Sequence, residues 1–285
     1  MRLVSFSYGG CRGYGVLASG QINRLDGVHS YPADLRSALA AGIEALDLSR
    51  ATQTLDPAQV TMLAPVPDAG KVLCVATNFH EAGKDKPIPQ YPLVFTRFAD
   101  TFVGHGEPLS LSPLAEKYDY EGELAVVIGK PAYKVEAAQA MDHIAGYTCL
   151  NDGSVRDWQK HSTQFTPGKN FYRSGSMGPW LVRRDELPDL AACQLKTRVN
   201  GELRQSISLG AMIFDIPWLI AYFSSFTPLA PGDVIATGTP SGFGSSRDPQ
   251  IFLKQGDVVE VDITGIGILK NTVQAEPAHP TVARP

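Results

Sequence analysis

The stretch Tyr118-Asp119-Tyr120-Glu121-Gly122-Glu123-Leu124-Ala125-Val126-Val127-Ile128-Gly129 decides how the rest of the chain is read. Leu124 to Ile128 is an unbroken aliphatic and β-branched run, the pattern of a strand covered on both faces. Side chains alternate along a strand, so Asp119, Glu121 and Glu123 are expected to point the same way at its mouth. Three like charges beside a core are costly: either they reach water or a cation gathers them, because buried carboxylates otherwise take up protons or find partners. A solvated strand entrance is the ordinary outcome for an isolated E-x-E. A hard divalent ion fits best if the three stay together.

Three more segments follow: Asn151-Asp152-Gly153-Ser154-Val155-Arg156-Asp157-Trp158-Gln159, then Gly168-Lys169-Asn170-Phe171, then Thr237-Gly238-Thr239-Pro240-Ser241-Gly242-Phe243-Gly244. In this order behind D-Y-E-G-E-L-A-V-V-I-G, they resemble the catalytic domain of the fumarylacetoacetate hydrolase superfamily, from about Lys71 to about Val273. Four motifs in sequence are far more specific than any one of them. The resemblance implies an α+β fold that is mostly β, a rolled mixed β-structure flanked by a few helices, and a homodimer with a site in each subunit. Asp152 follows the apolar strand Ala145–Leu150, where a carboxylate can meet Glu121 and Glu123 from the side; a simple capping role is the alternative. Three oxygen donors with no sulfur or imidazole suit Mg²⁺ or Mn²⁺ better than zinc or Ca²⁺, and the resemblance implies the same three ligands. It also places Lys169 beside the metal, where an ammonium offsets developing oxyanion charge. Asp119 is kept out of the ligand set and read as a second carboxylate supporting it by hydrogen bonding.

After the strand Lys71–Ala76 come Thr77-Asn78-Phe79-His80-Glu81-Ala82-Gly83-Lys84. Superfamily members usually read N-Y-x-x-H-x-x-E here, with the His and Glu forming a water-activating pair. This chain is two residues short, His80 and Glu81 are adjacent, and Gly83 falls where the usual Glu would be. His80 is the candidate base, with Glu81 holding its tautomer; the alternative is a loop histidine. Arg97 ends the strand Pro92–Phe98 and is assigned either to a substrate carboxylate in a bidentate fork or to a structural ion pair. The hydroxyl of Thr239 is a second candidate for a substrate carboxylate or carbonyl. Its glycine-rich loop is not a nucleotide loop, since G-x-x-x-x-G-K-[ST] is absent.

Length and composition set wider bounds. A chain of 285 residues can bury a large core, and residues 1–66 read as a small β-rich module with a helix around Ala33–Leu46. A proline-rich linker leads into a catalytic domain over residues 67–276, and residues 277–285 read as a flexible tail. Asp215 is expected to cap a helix to Phe226 whose broad apolar face of Trp218, Leu219, Tyr222 and Phe223 packs on the sheet, and Ser154 is expected to cap another running to Lys160. No run approaches a membrane span and no signal peptide is evident, so a cytoplasmic protein without a membrane partner is expected. The net charge of −4 with scattered basic residues argues against nucleic acid. Four dispersed cysteines give neither a disulfide framework nor a zinc site.

The activity these residues imply is metal-dependent hydrolysis of a C–C bond in a small diketo acid of the acylpyruvate kind, giving a carboxylic acid and a 2-oxo acid. Two alternatives stand beside it: decarboxylation or keto–enol isomerisation of a 2-oxo diacid on the same platform, without activated water, and a binding protein that has lost turnover.

Overall fold

A computed structural model describes residues 1–43, 46–80 and 87–277. Its centre is the strand Gly122–Ile128, in which every residue is buried. Leu124, Val126 and Ile128 enter one core with Tyr147 and Cys149. Ala125 and Val127 enter a second core with Leu3, Val16, Met177 and Leu181. Burial on both faces is why the run carries no polar alternation after Glu123.

This strand lies inside a 12-stranded mixed sheet. On one side it pairs antiparallel with Ile144–Asn151, which pairs in turn with Gly175–Arg183. On the other it pairs with Val234–Ala236, which runs parallel to Val72–Ala76, and the sheet ends at Leu93–Arg97. A five-stranded sheet, Glu202–Ser208, Gln194–Val199, Val258–Ile263, Gly267–Ala275 and Leu109–Leu111, closes over one face. Leu195, Val261, Ile263 and Leu269 carry its apolar side into the first core. This is the mostly β, mixed architecture that the motifs imply.

The N-terminal segment adds strands to the same sheet. Arg2–Tyr8 pairs antiparallel with Gly175–Arg183, placing Arg2 opposite Val182 and Leu3 opposite Leu181. The sheet is thus continuous across the proline-rich linker that the sequence marks as a boundary. Within this segment the helix is Leu35–Ala41, shorter than the expected one; Leu35 and Leu39 are buried in it, with Ile43 just beyond. Of the expected tail over residues 277–285, residues 278–285 lie outside the described residues, and the last strand continues to Ala275.

The helix Ile216–Phe226 begins as expected: Asp215 accepts a hydrogen bond from Trp218 N at 2.8 Å, and Pro217 sits in the first turn. The expected face packs on the core, with Trp218 and Tyr222 at its partly exposed edge. Ile216, Leu219, Ile220 and Phe223 face the core, while Trp218 and Tyr222 stack on each other half-exposed, ring centres 5.0 Å apart. Ser154 is another correction. It belongs to a two-residue strand, Ser154–Val155, and the helix Arg156–Gln159 starts without a side-chain cap. No helix among the described residues is long and apolar enough to cross a membrane.

Candidate active site

The E-G-E segment owes its geometry to a break in the strand. Tyr118–Asp119 pairs with Ser154–Val155, and the Gly122–Ile128 strand begins only after Tyr120 and Glu121. Across the break, side chains take over from strand neighbours: Glu121 N donates to Asn151 Oδ1 at 3.0 Å. Glu121 O accepts from Asp152 N at 2.8 Å, which ties the two candidate ligand segments together. Asp119 is thereby separated from Glu121 and Glu123. Its carboxylate accepts from Gly244 N at 2.6 Å and Ser245 N at 2.9 Å, and pairs with Arg156 at 2.8 Å.

Glu121, Glu123 and Asp152 converge. All three are buried, and they offer carboxylate oxygens within 4.8 Å of one another. Lys169 Nζ stands among them, 2.7 Å from Glu121 Oε2 and 2.5 Å from Asp152 Oδ2, with the Phe95 ring beneath it at 4.8 Å. Arg156 lies 2.5 Å from Glu121 Oε1 and covers the Phe243 ring at 4.8 Å. Glu123 Oε2 accepts from Gly238 N at 2.8 Å, and Gly238 takes φ +101°, a conformation open to glycine, to aim that N–H.

These partners leave an imbalance. Burial alone would push the Glu121 carboxyl up, but the charges of Arg156 and Lys169 overrule it and hold the group at about 2. Burial pushes Glu123 well above the ordinary carboxylate range, and the neighbouring Asp152 and Glu121 push it further. Burial works against the Lys169 ammonium, yet Asp152 and Glu121 raise its pKa. Among the described residues, four carboxylates (Asp119, Glu121, Glu123, Asp152) therefore face three cations (Arg97, Arg156, Lys169), and Glu123 is the one without a counter-ion in direct contact. A set of three buried oxygen donors, one of them uncompensated, fits a hard dication such as Mg²⁺ or Mn²⁺.

Glu121, Glu123 and Lys169 line a pocket of about 190 Å³, with Arg156, Gln159, Phe95, Phe165, Phe243 and Thr239 also in its wall. An adjoining cavity of about 380 Å³ shares Ala76, Thr77 and Leu93 with it and is lined further out by His80, Ile88, Tyr91 and Ile213. His80 is exposed, its backbone N–H bound to Ala211 O at 2.8 Å, and its side chain borders this outer cavity rather than the carboxylate pocket. Glu81, its expected orienter, lies outside the described residues.

Arg97 does not reach the pocket wall. Fully enclosed behind Asp152, it donates to Asp152 Oδ1 at 2.8 Å, Gly153 O at 3.1 Å and Ser174 Oγ at 2.9 Å. The expected fork on a substrate carboxylate is replaced by the ion pair, because the strand ends beneath the Asp152 turn. Thr239 does line the pocket, but its hydroxyl is committed twice, donating to Gly122 O and accepting from Gln205 Nε2, both at 2.8 Å. Arg156 and Gln159 also line the pocket and carry no role in the sequence reading. The short helix Arg156–Gln159 places both on the pocket. Their i, i+3 spacing, one helical turn apart just after Asp152, was the available signal.

A model of the fumarylacetoacetate (FAA) hydrolase C-terminal domain matches residues 71–274. Oxaloacetate tautomerase YisK of Bacillus subtilis (strain 168) is 42% identical over 221 residues, spanning 75% of this chain and 73% of that protein. Fumarylacetoacetate hydrolase from psychrophilic Exiguobacterium antarcticum superposes with a TM-score of 0.88 at 35% identity, over 97% of this chain and 100% of the other. Maleylpyruvate hydrolase from Sphingobium sp. SYK-6, in complex with manganese (II) ion and pyruvate, matches with a TM-score of 0.77 at 27% identity, over 97% and 100%. On its motifs, its fold and these likenesses, the chain belongs to the fumarylacetoacetate hydrolase superfamily.

Proposed function

We propose that this chain is a divalent-metal-dependent tautomerase that interconverts the keto and enol forms of a small 2-oxo diacid of the oxaloacetate kind. The observation that carries the reading is a pocket of about 190 Å³ lined by Glu121, Glu123 and Lys169, with Asp152 buried within reach of both glutamates, and with no imidazole in its described wall. Such a volume suits a small acid, below the range of drug-sized ligand sites. Tautomerisation requires one proton to leave carbon and return to oxygen, whereas hydrolysis requires a base aimed through water at a distal carbonyl. The likeness to the Bacillus subtilis tautomerase supports the same choice.

Glu121, Glu123 and Asp152 would hold Mg²⁺ or Mn²⁺, which supplies a Lewis acid that acidifies the C–H beside a keto group. Lys169 directs its ammonium to the oxygen on which charge accumulates as that proton leaves, in a site where water is sparse. Arg156 and Gln159 orient a substrate carboxylate against the wall, and Phe95, Phe165 and Phe243 limit solvent entry. The proton that leaves carbon passes out through the adjoining cavity, where His80 relays it to water. The site is taken to occur once in each subunit of a homodimer, an assembly that sedimentation measures directly.

Hydrolysis of an acylpyruvate is the second reading, favoured by His80 at the cavity mouth and by the likeness to a maleylpyruvate hydrolase. The test follows ketonisation of enol-oxaloacetate and cleavage of acylpyruvates side by side, with Mg²⁺ or with chelator. Tautomerisation is expected to be metal-dependent, lost in Glu121→Ala, and slowed but still measurable in His80→Ala. Acylpyruvate cleavage that His80→Ala abolishes, with no acceleration of ketonisation, would replace this reading with the hydrolase.

A further inference from the structure

We infer that Gln205, on the second sheet, is a positioning residue that sets the spacing of the two glutamate ligands. This rests on the metal-binding part of the proposed function and on none of its substrate chemistry.

Gly122 separates Glu121 from Glu123, so the direction of its peptide groups fixes how far apart and at what angle the two carboxylates stand. Neither peptide group is left to an ordinary strand partner. Gly122 N donates to Gln205 Oε1 at 3.0 Å, and Gly122 O accepts from Thr239 Oγ1 at 2.8 Å. The amide of Gln205 then joins the two ends, with Nε2 donating to Thr239 Oγ1 at 2.8 Å and to Pro240 O at 2.7 Å. One primary amide has one acceptor and two donor hydrogens that suit this task, and here all are used. Gln205 is 2% exposed, so no water substitutes for these bonds from outside.

The approach is close enough to demand glycine at position 122: a Cβ there would overlap Thr197 Oγ1, from the strand paired with that of Gln205. The five-stranded sheet is therefore pressed closely onto the ligand segment at Gly122, and Gln205 is the side chain there that hydrogen-bonds the Gly122 backbone. The same clamp joins Glu123 to the Thr237–Gly244 loop a second way, since Gly238 N already holds the Glu123 carboxylate. Shape-matched apolar replacement of Gln205 would strand Gly122 N and free the loop from the ligand pair.

The test uses the full chain and reads Mn²⁺ affinity by calorimetry, beside Tm and kcat and KM for oxaloacetate. Gln205→Met keeps the side-chain length and removes every hydrogen bond. Groups that orient metal ligands from outside the coordination sphere typically contribute 10–100-fold in affinity, so Gln205→Met is expected to weaken Mn²⁺ binding by roughly that factor. Ile207→Ala, two residues along the same strand and packed in the apolar core, lowers Tm and leaves Mn²⁺ affinity unchanged. Thr239→Val breaks the clamp at its other end, and the double variant is expected to lose less than the product of the two single losses. Mn²⁺ affinity in Gln205→Met within about twofold of the parent overturns the inference, and so do multiplicative losses in the double variant. If Gln205→Met does not fold, Thr239→Val decides alone, and an unchanged Mn²⁺ affinity there is equally fatal. Metal effects as expected in a protein that never accelerates ketonisation would leave the clamp standing and remove the tautomerase. A parent chain that binds no Mn²⁺ would remove both.

Discussion

Replacing Arg97 by methionine separates the two roles that a cation at a strand end can play. Arg97 is 2% exposed, and its guanidinium donates to Asp152, Gly153 O, Thr101 Oγ1 and Ser174 Oγ while lying 4.4 Å over the Phe102 ring. Methionine fills much of the same length and removes the charge and every donor. Stripping one partner from a buried pair generally costs about 3–5 kcal/mol. Lys169 also contacts Asp152, which favours the lower end, about 3 kcal/mol. An unfolding entropy of about 2.1 cal/mol/K per residue over 285 residues is roughly 0.6 kcal/mol/K, so Tm should fall by about 5 °C. Differential scanning calorimetry in chelator measures this directly, and oxaloacetate kinetics with Mg²⁺ supply the contrast. Because the guanidinium never enters the pocket wall, KM should change little in whatever protein remains folded. A Tm within about 1 °C of the parent together with a KM raised about tenfold would mean that Arg97 meets the substrate.

Glu123→Gln probes the uncompensated carboxyl. Its folded pKa lies above the unfolded 4.5, so the stability it contributes is complete below that value and is lost as pH rises through the raised pKa. In chelator, the Tm advantage of Glu123→Gln over the parent should therefore widen between pH 5 and pH 8, and saturating Mg²⁺ should abolish it; a constant gap contradicts the charge imbalance. Asp119→Asn should loosen the Gly244 loop and release Arg156, at about 2 kcal/mol for hydrogen bonds to a charged acceptor. Hydrogen exchange at Gly244 and Ser245 reads it, and unchanged protection there refutes the assignment.

Much of the candidate site was legible because its candidate ligands sit where the pattern changes. The aliphatic run after Glu123 marks a strand buried on both faces, and a carboxylate just before such a run must find a cation or water. Asp152 stands in the same relation to its own strand. The shared face held for Glu121 and Glu123 but not for Asp119, which meets Glu121 only through Arg156 and turns its carboxylate to the Gly244 and Ser245 amides. Arg97 misled because a guanidinium at a strand end looks the same whether it turns to substrate or to a ligand behind it.

Gln205 was out of reach because its partners lie 83 residues upstream and 34 downstream. A trace of its strand was nonetheless present. Asn200-Gly201 forms the two-residue turn between Gln194–Val199 and Glu202–Ser208, with φ of 54° and 80°, the hairpin signature that dipeptide carries. The helix Ile216–Phe226 shows a different limit: its cap and apolar face were readable, but not that Trp218 and Tyr222 would stack on each other at the edge of the core, with Tyr222 also on Tyr91.

The most direct measurement is an anomalous difference map from a crystal of this protein soaked in Mn²⁺. The account predicts one strong peak per chain, bonded to carboxylate oxygens of Glu121, Glu123 and Asp152 together. A peak that touches only one of them, or density at other sites with this pocket left to Lys169, would contradict it.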